Sequence, residues 1–277
     1  MRQLTRDGLA FDVRDEGPDD GPVVLLLHGF PQDGTAYDGV AARLRSAGCR
    51  TVVPDQRGYS PGARPRQREA YAVRALVEDA VAFLDQLGVA AAHVVGHDWG
   101  GAVAWAVAGR YRDRVSSLTV LSTPHPAALS GAMLRSTQGL RSSYLGLFQL
   151  PMLPERLLLA GGGWLLRNAL LRSGLPPDWA DHYSARMREP GALAGALAWY
   201  RAIPTDPRFR VGRAACPVTL VAGRRDLAFS GTAVRASAGF VSGRLRLVEL
   251  DAGHWLPERH AGEVAEEILA NIRRADR

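Results

Sequence analysis

The chain has 277 residues, 47% hydrophobic and 22% charged, as in a soluble globular protein with room for one core or a core carrying an inserted subdomain. Its formal charge is +6 with an isoelectric point near 9.9, but the arginines are scattered among acidic residues without interleaved aromatics, a solvated surface rather than a nucleic-acid interface. All 34 basic residues are arginine, which excludes a Schiff-base lysine, a pyridoxal-phosphate anchor and a Walker A loop.

The N-terminal MRQLTRDGLAFDVRDEG is too polar for a secretory signal, and no window reaches the length of a membrane span, so no membrane partner is expected. Short apolar runs then recur, bounded by Gly, Pro or Asp: VVLLLHG (23–29), RTVVPD (50–55), AHVVGHD (92–98), SLTVLST (117–123), PVTLVAG (217–223) and LRLVELDAG (245–253). Each is too short for a helix and is rich in Val and Leu on both faces, as buried parallel strands are. Helical patterns such as 69–88 and 258–274 separate them, which predicts an α/β protein with a mostly parallel sheet. Between His125 and Arg213 the alternation stops, and helical stretches such as PERLLLAGGGWLLRNALLRSG take over. This predicts a core of residues 1–124 and 213–277 with a helical cap, 125–212, over the carboxyl edge of the sheet, where α/β proteins bind ligands. Cys49 and Cys216 lie far apart beside predicted strands, which fits a reducing cytoplasm, and the seven histidines show no metal-ligand spacing.

The chemistry gathers at strand ends. VVGHDWGG (94–101) ends an apolar run in Gly-x-Asp-x-Gly and passes into small apolar residues at helical spacing. That is the layout of a nucleophile elbow, with Asp98 at the apex where serine usually stands. Asp226 in VAGRRDLAF and His254 in DAGHWLP complete the nucleophile–acid–histidine order of the α/β-hydrolases. Asp226 would hold the imidazole in tautomer and orientation. HGFP (28–31) can aim the Phe30 N–H beside that of Trp99, forming an oxyanion hole. A carboxylate needs no base to be nucleophilic at neutral pH. Attack on an sp³ carbon would leave an alkyl-enzyme ester, which His254 hydrolyses by activating water. The aspartate thus points to alkylating substrates, chiefly epoxides or alkyl halides. Pro31, Trp99 and Trp255 are expected as pocket walls, Trp105 as core, and His28 and His97 as structural.

HGFP, PDQRGYS, GHDWGG, STPHP and DAGHW, in this order, resemble the epoxide hydrolases of the α/β-hydrolase fold over nearly the whole chain. GHDWGG alone is shared with haloalkane dehalogenases. The resemblance implies two cap tyrosines that hold the epoxide oxygen and protonate it: Tyr144, before LFQLP, and Tyr200, in WYRAIP, with Tyr183 and Trp179 nearby in sequence. It implies a small-molecule epoxide and water as reactants, a vicinal diol as product, and no cofactor or metal. Two alternatives stay open: a dehalogenase with Trp99 and one of Trp164, Trp179 or Trp199 on the halide, and a non-catalytic ligand receptor of the same fold.

Overall fold

The computed structural model describes residues 1–133, 135–142, 144–206 and 209–276. Eight strands form one sheet: β1 (Arg2–Arg6), β2 (Leu9–Glu16), β3 (Val23–Leu27), β4 (Arg50–Pro54), β5 (Ala92–His97), β6 (Val115–Leu121), β7 (Val218–Gly223) and β8 (Leu245–Leu250). Their order is β1-β2-β4-β3-β5-β6-β7-β8. β1 pairs antiparallel with β2 and β2 with β4, and every pairing from β4 through β3 to β8 is parallel. The six strands expected from sequence are therefore present, but β8, expected as buried on both faces, is the edge strand and none of its residues is buried. The N-terminal hairpin is an addition. It turns at Asp7-Gly8, both in the left-handed region, a pair suited to a two-residue hairpin.

Helices cover both faces, as a parallel sheet requires. On one side lie α1 (Asp38–Ser46) and, from the C-terminus, α12 (Ala261–Ala275); on the other lie α2 (Val73–Gln86) and α3 (Trp99–Arg110). The alternation in β3 shows the logic. Val24 and Leu26 pack with Tyr37, Val40, Leu44, Val264 and Ile268, whereas Leu25 and Leu27 join Leu76, Phe83, Val103 and Trp105. Every one of these side chains is at most 4% exposed.

Between β6 and β7 the chain makes α4 (Pro126–Met133), α5 (Gln138–Arg141), α6 (Tyr144–Phe148), α7 (Leu153–Arg172), α8 (Pro177–Met187) and α9 (Ala192–Ala202), and no strand among the described residues. The Gly-rich LAGGGW breaks α7 in two. Ala160 is extended, and Gly161, Gly162 and Gly163 follow with φ of 58°, 71° and 86°, a run of left-handed residues that any side chain would strain. Two short helices, α10 (Gly231–Ala236) and α11 (Leu256–Arg259), complete the chain. Among the described residues no helix is long and apolar enough to cross a membrane.

Candidate active site

The elbow is built by sterics. Asp98 follows β5 and caps α3 with φ 50° and ψ −121°, a region that costs a non-glycine residue about 1–3 kcal/mol. Close approach of neighbouring backbones holds it there. A Cβ on Gly96 would fall 2.2 Å from the Gly100 carbonyl oxygen, one on Gly100 2.0 Å from that of Leu27, and one on Gly29 2.4 Å from the Asp98 Cβ. Thr123 Oγ1 donates to the Asp98 carbonyl at 2.8 Å from the end of β6. The strand–helix turn thus projects a carboxylate into a space that these glycines keep open.

Asp98 Oδ1 accepts the Phe30 N–H at 2.9 Å, and its Oδ2 lies 3.8 Å from His254 Nε2. The Trp99 N–H stands in the first turn of α3, where amides have no partner within the helix. On its far side His254 Nδ1 lies 3.0 Å from Asp226 Oδ2. Asp226 Oδ1 in turn accepts the N–H groups of Ala228 and Phe229 at 2.7 and 3.1 Å. Burial alone would raise the Asp226 carboxyl, but His254 and these amides hold it below the usual carboxylate range. For His254 burial acts downward and is outweighed by Asp226 and then Asp98, which bring it up to about 9.

Behind His254 lies a buried net that the motifs did not announce. The His254 carbonyl oxygen accepts from Ser122 Oγ at 3.0 Å and stands 3.0 Å from His97 Nε2. Gln32 Oε1 accepts the Gly29 N–H at 2.7 Å and stands 2.8 Å from His97 Nδ1. The Gln32 amide and the Tyr183 hydroxyl both donate to Glu258 Oε1, at 2.7 and 2.8 Å. Burial raises the Glu258 carboxyl above its ordinary range. Tyr183, on α8 of the insertion, is thereby committed to Glu258 and does not line the cavity in front of Asp98. His28, fully buried, accepts the Gln56 N–H on Nε2 and braces the turn ahead of Phe30. Trp105 is fully buried and donates to the Thr123 carbonyl.

In front of Asp98 is a cavity of about 320 Å³. Phe30, Pro31, His254 and Trp255 line its floor, and Tyr144, Phe148, Leu166 and Tyr200 its roof. The helical insertion therefore closes over the carboxyl ends of β3, β5 and β8. Tyr200 is 3% exposed, with its ring edge-on to Phe30, Trp99 and Phe148 at centroid distances of 5.5, 5.0 and 5.0 Å. The Tyr144 ring, 39% exposed at the mouth, lies 6.1 Å from that of Tyr200. Burial raises both phenols above their ordinary range, so both are protonated; the negative field of Asp98 adds to this, and Tyr144 pushes Tyr200 up further while Tyr200 draws Tyr144 slightly back. Trp99 is not among the lining residues; its ring packs against Trp199 and Tyr200 instead. Asp226 also stands outside this cavity, behind His254.

Residues 22–261 match the alpha/beta hydrolase fold family. Among relatives, the AB hydrolase superfamily protein YfhM of Bacillus subtilis is 31% identical over 98% of this chain and 96% of its own. Epoxide hydrolase A of Mycobacterium tuberculosis is 30% identical over 97% of this chain and 95% of its own. The crystal structure of epoxide hydrolase A from Mycobacterium thermoresistibile superposes with a TM-score of 0.85 at 25% identity, over 98% of this chain and 97% of that one.

Proposed function

Since the chain belongs to the α/β-hydrolase fold family, we propose that it is an epoxide hydrolase converting an epoxide and water to a vicinal diol. Asp98 attacks a ring carbon and the C–O bond breaks. Tyr144 and Tyr200 hold the epoxide oxygen, and one of them gives it a proton. The product of this half-reaction is an ester between Asp98 and the hydroxyalkyl group. His254 then takes a proton from water, whose oxygen adds to the ester carbonyl carbon. The N–H groups of Phe30 and Trp99 receive the oxyanion. Its collapse breaks the bond to the alkyl oxygen, which takes the proton of the added hydroxyl as the diol leaves. The proton on His254 returns through solvent to the tyrosine that gave one up, so that Asp98, His254 and the phenol are all restored.

The observation that carries this reading is the opposition of two neutral phenols to an elbow carboxylate across one cavity. The carboxylate supplies the electron pair; the phenols supply a proton that water at neutral pH gives up poorly. Ester formation also suits the second step. It removes the Asp98 charge that, after Asp226, helps hold His254 up to about 9, so the imidazole shifts toward its neutral form at the step that needs a base. Dehalogenation has less support, because neither Trp99 nor any of Trp164, Trp179 and Trp199 lines the cavity in front of Asp98. Trp199 Nε1 donates to the Arg57 carbonyl and Trp255 Nε1 to Ser173 Oγ, while Trp164 is 63% exposed.

The test is intact mass of His254→Ala after exposure to separate panels of epoxides and haloalkanes. A gain of the whole epoxide mass on the peptide holding Asp98 is the expected result. An alkyl adduct from haloalkanes alone would transfer the reading to a dehalogenase. Tight binding without adduct or turnover would transfer it to a receptor.

A further inference from the structure

The large apolar side chains left in water are not spread evenly over the molecule. Of thirteen exposed among the described residues, nine lie between Leu140 and Leu165, on the helical insertion. Single exposed residues need no explanation, but a contiguous apolar surface marks an interaction site. Helix geometry joins this surface to the mouth of the cavity. Tyr144, Ala169 and Leu227 line the cavity and are exposed, so they form its lip. Leu147 follows Tyr144 by one turn of α6, and Leu165 precedes Ala169 by one turn of α7. Leu150 and Met152 lie between these helices. Leu157 is on the outward face of the first half of α7, and Trp164 opens the second half.

Charge indicates what covers this surface. The stretch 126–176 holds five arginines against one glutamate, so most of the formal +6 of the whole protein lies there. Glu155 pairs with Arg201, and Arg167 with Asp181. Arg135, Arg156 and Arg172 are exposed and make no ion pair among the described residues. Arg156 stands beside Leu157 on the outward face of α7, and Arg172 lies one turn past Ala169. An apolar face set among unpaired arginines matches an anionic bilayer, where acyl chains lie beneath phosphate oxygens. Trp164 suits that boundary, with an apolar ring and an N–H that can reach water or a headgroup. A second copy of the chain matches the face poorly, because a two-fold contact would bring the same arginines together.

We propose that this face of the insertion docks on the surface of an anionic lipid bilayer and sets the cavity mouth against the lipid. The sequence has no stretch long enough to cross a bilayer, and among the described residues no helix could do so. Neither fact bears on a face that enters only the headgroup boundary. The docking stands on the surface alone. Entry of an apolar epoxide directly from the lipid rests on the epoxide-hydrolase reading as well.

Flotation with phosphatidylcholine vesicles, either pure or holding about 30% phosphatidylglycerol, tests the docking. The wild type should partition at least about tenfold more strongly onto the anionic vesicles than onto the neutral ones. Leu157→Gln with Trp164→Gln keeps every charge, removes apolar surface and should weaken anionic binding about tenfold. Arg156→Gln with Arg172→Gln keeps the apolar surface and should weaken it by about fivefold per arginine. None of the four residues lines the cavity, so turnover of a water-soluble epoxide should be unchanged in both variants. Turnover of an apolar epoxide dissolved in the anionic vesicles should fall with binding; if it does not, entry from the lipid is overturned. No flotation of the wild type, or flotation indifferent to the Leu157 and Trp164 changes, overturns the docking face. A wild type that sediments as a dimer, and as a monomer once Leu157 and Trp164 are changed, assigns the face to a second copy and overturns it too. Flotation that weakens in both variants, with no epoxide turned over, upholds the docking, and only the reading of the reaction then falls.

Discussion

The two halves of this site are held in place by different physics. Asp98, Asp226 and His254 hang from the carboxyl ends of parallel strands, and each is fixed by hydrogen bonds to backbone groups or to one another. Tyr144 and Tyr200 ride on helices of the insertion and are oriented by ring packing with Phe30, Phe148 and Trp99. A hydrogen bond to a strand end fixes an atom to a few tenths of an ångström. Ring packing fixes a volume and leaves some rotation. The strand-mounted half is therefore suited to chemistry that every turnover repeats, and the helix-mounted half to receiving substrates of differing shape.

Breaking the strand-mounted half should have the largest effect. Asp98→Ala removes the nucleophile of the proposed ester and should lower kcat/KM by at least about 10⁴-fold. The fold should survive, because the substitution leaves the glycine contacts of the elbow untouched. Circular dichroism and a stopped assay on the same preparation separate the two outcomes. Residual turnover within about tenfold of wild type would mean that Asp98 only caps α3.

The helix-mounted half should be more forgiving. Either phenol can hold the epoxide oxygen, so Tyr144→Phe and Tyr200→Phe singly should slow ester formation by roughly ten- to a hundredfold. The double variant should lose more than the product of the two, since neither hydroxyl then remains to cover for the other. Single-turnover kinetics should show the loss in ester formation with ester hydrolysis unaltered. Slowing of both steps alike would assign the tyrosines to packing and not to proton donation.

A pH profile sharpens the comparison within the strand-mounted half. In the free protein His254 is raised to about 9 by Asp226 and Asp98 against the opposing pull of burial. Only the neutral ring can take a proton from water, so ester hydrolysis should rise with pH and level off above the ring's value in the ester. That value must lie below about 9, because the ester has lost the Asp98 charge. On the acid limb the rate should fall about tenfold per pH unit. A midpoint at or above the free-protein value would contradict an uncharged Asp98 ester.

The same contrast governs how much could be read from the sequence. Asp98 was legible because its turn makes local demands: a strand, glycines on both sides of the apex, then small residues that let α3 approach β3. His254 and Asp226 were legible as polar residues closing apolar runs. The net of Gln32, His97, Tyr183 and Glu258 was not, since Gln32 and Glu258 are 226 residues apart and nothing local marks either. Glu258 did carry one faint signal, an acid in a short helix just after His254. The N-terminal hairpin has only a weak local mark, the Asp7-Gly8 turn between two short polar stretches. In the insertion, helical periodicity predicted helices but not the three left-handed glycines that break α7. Trp99 was expected at the pocket wall and turns toward Trp199, because a first-turn residue faces whichever neighbour the insertion brings.

The smallest effect concerns the seam between the two halves. Asp33, on the strand-mounted side, receives His182 Nε2 at 2.9 Å and Arg186 Nε at 3.1 Å from α8. Burial would raise Asp33, but His182 and Thr35 hold it well below the usual carboxylate range, while Asp33 raises His182 against its own burial. The signs fix a window. A depressed carboxylate stabilises above its unfolded value of about 3.9 and loses this as pH falls through its folded one. A raised histidine stabilises below its unfolded value of about 6.5 and loses this as pH rises through its folded one. The seam is thus strongest between about pH 4 and about pH 6.5. His182 is 38% exposed, so solvent screening leaves the pair only a few tenths to about 1 kcal/mol. Asp33→Asn should lower the melting temperature more at about pH 5.5 than at about pH 8, and Arg186, charged throughout, should keep the second difference above zero. Equal losses at both pH values would mean that His182 adds nothing to the seam and that Arg186 alone ties the insertion to the core.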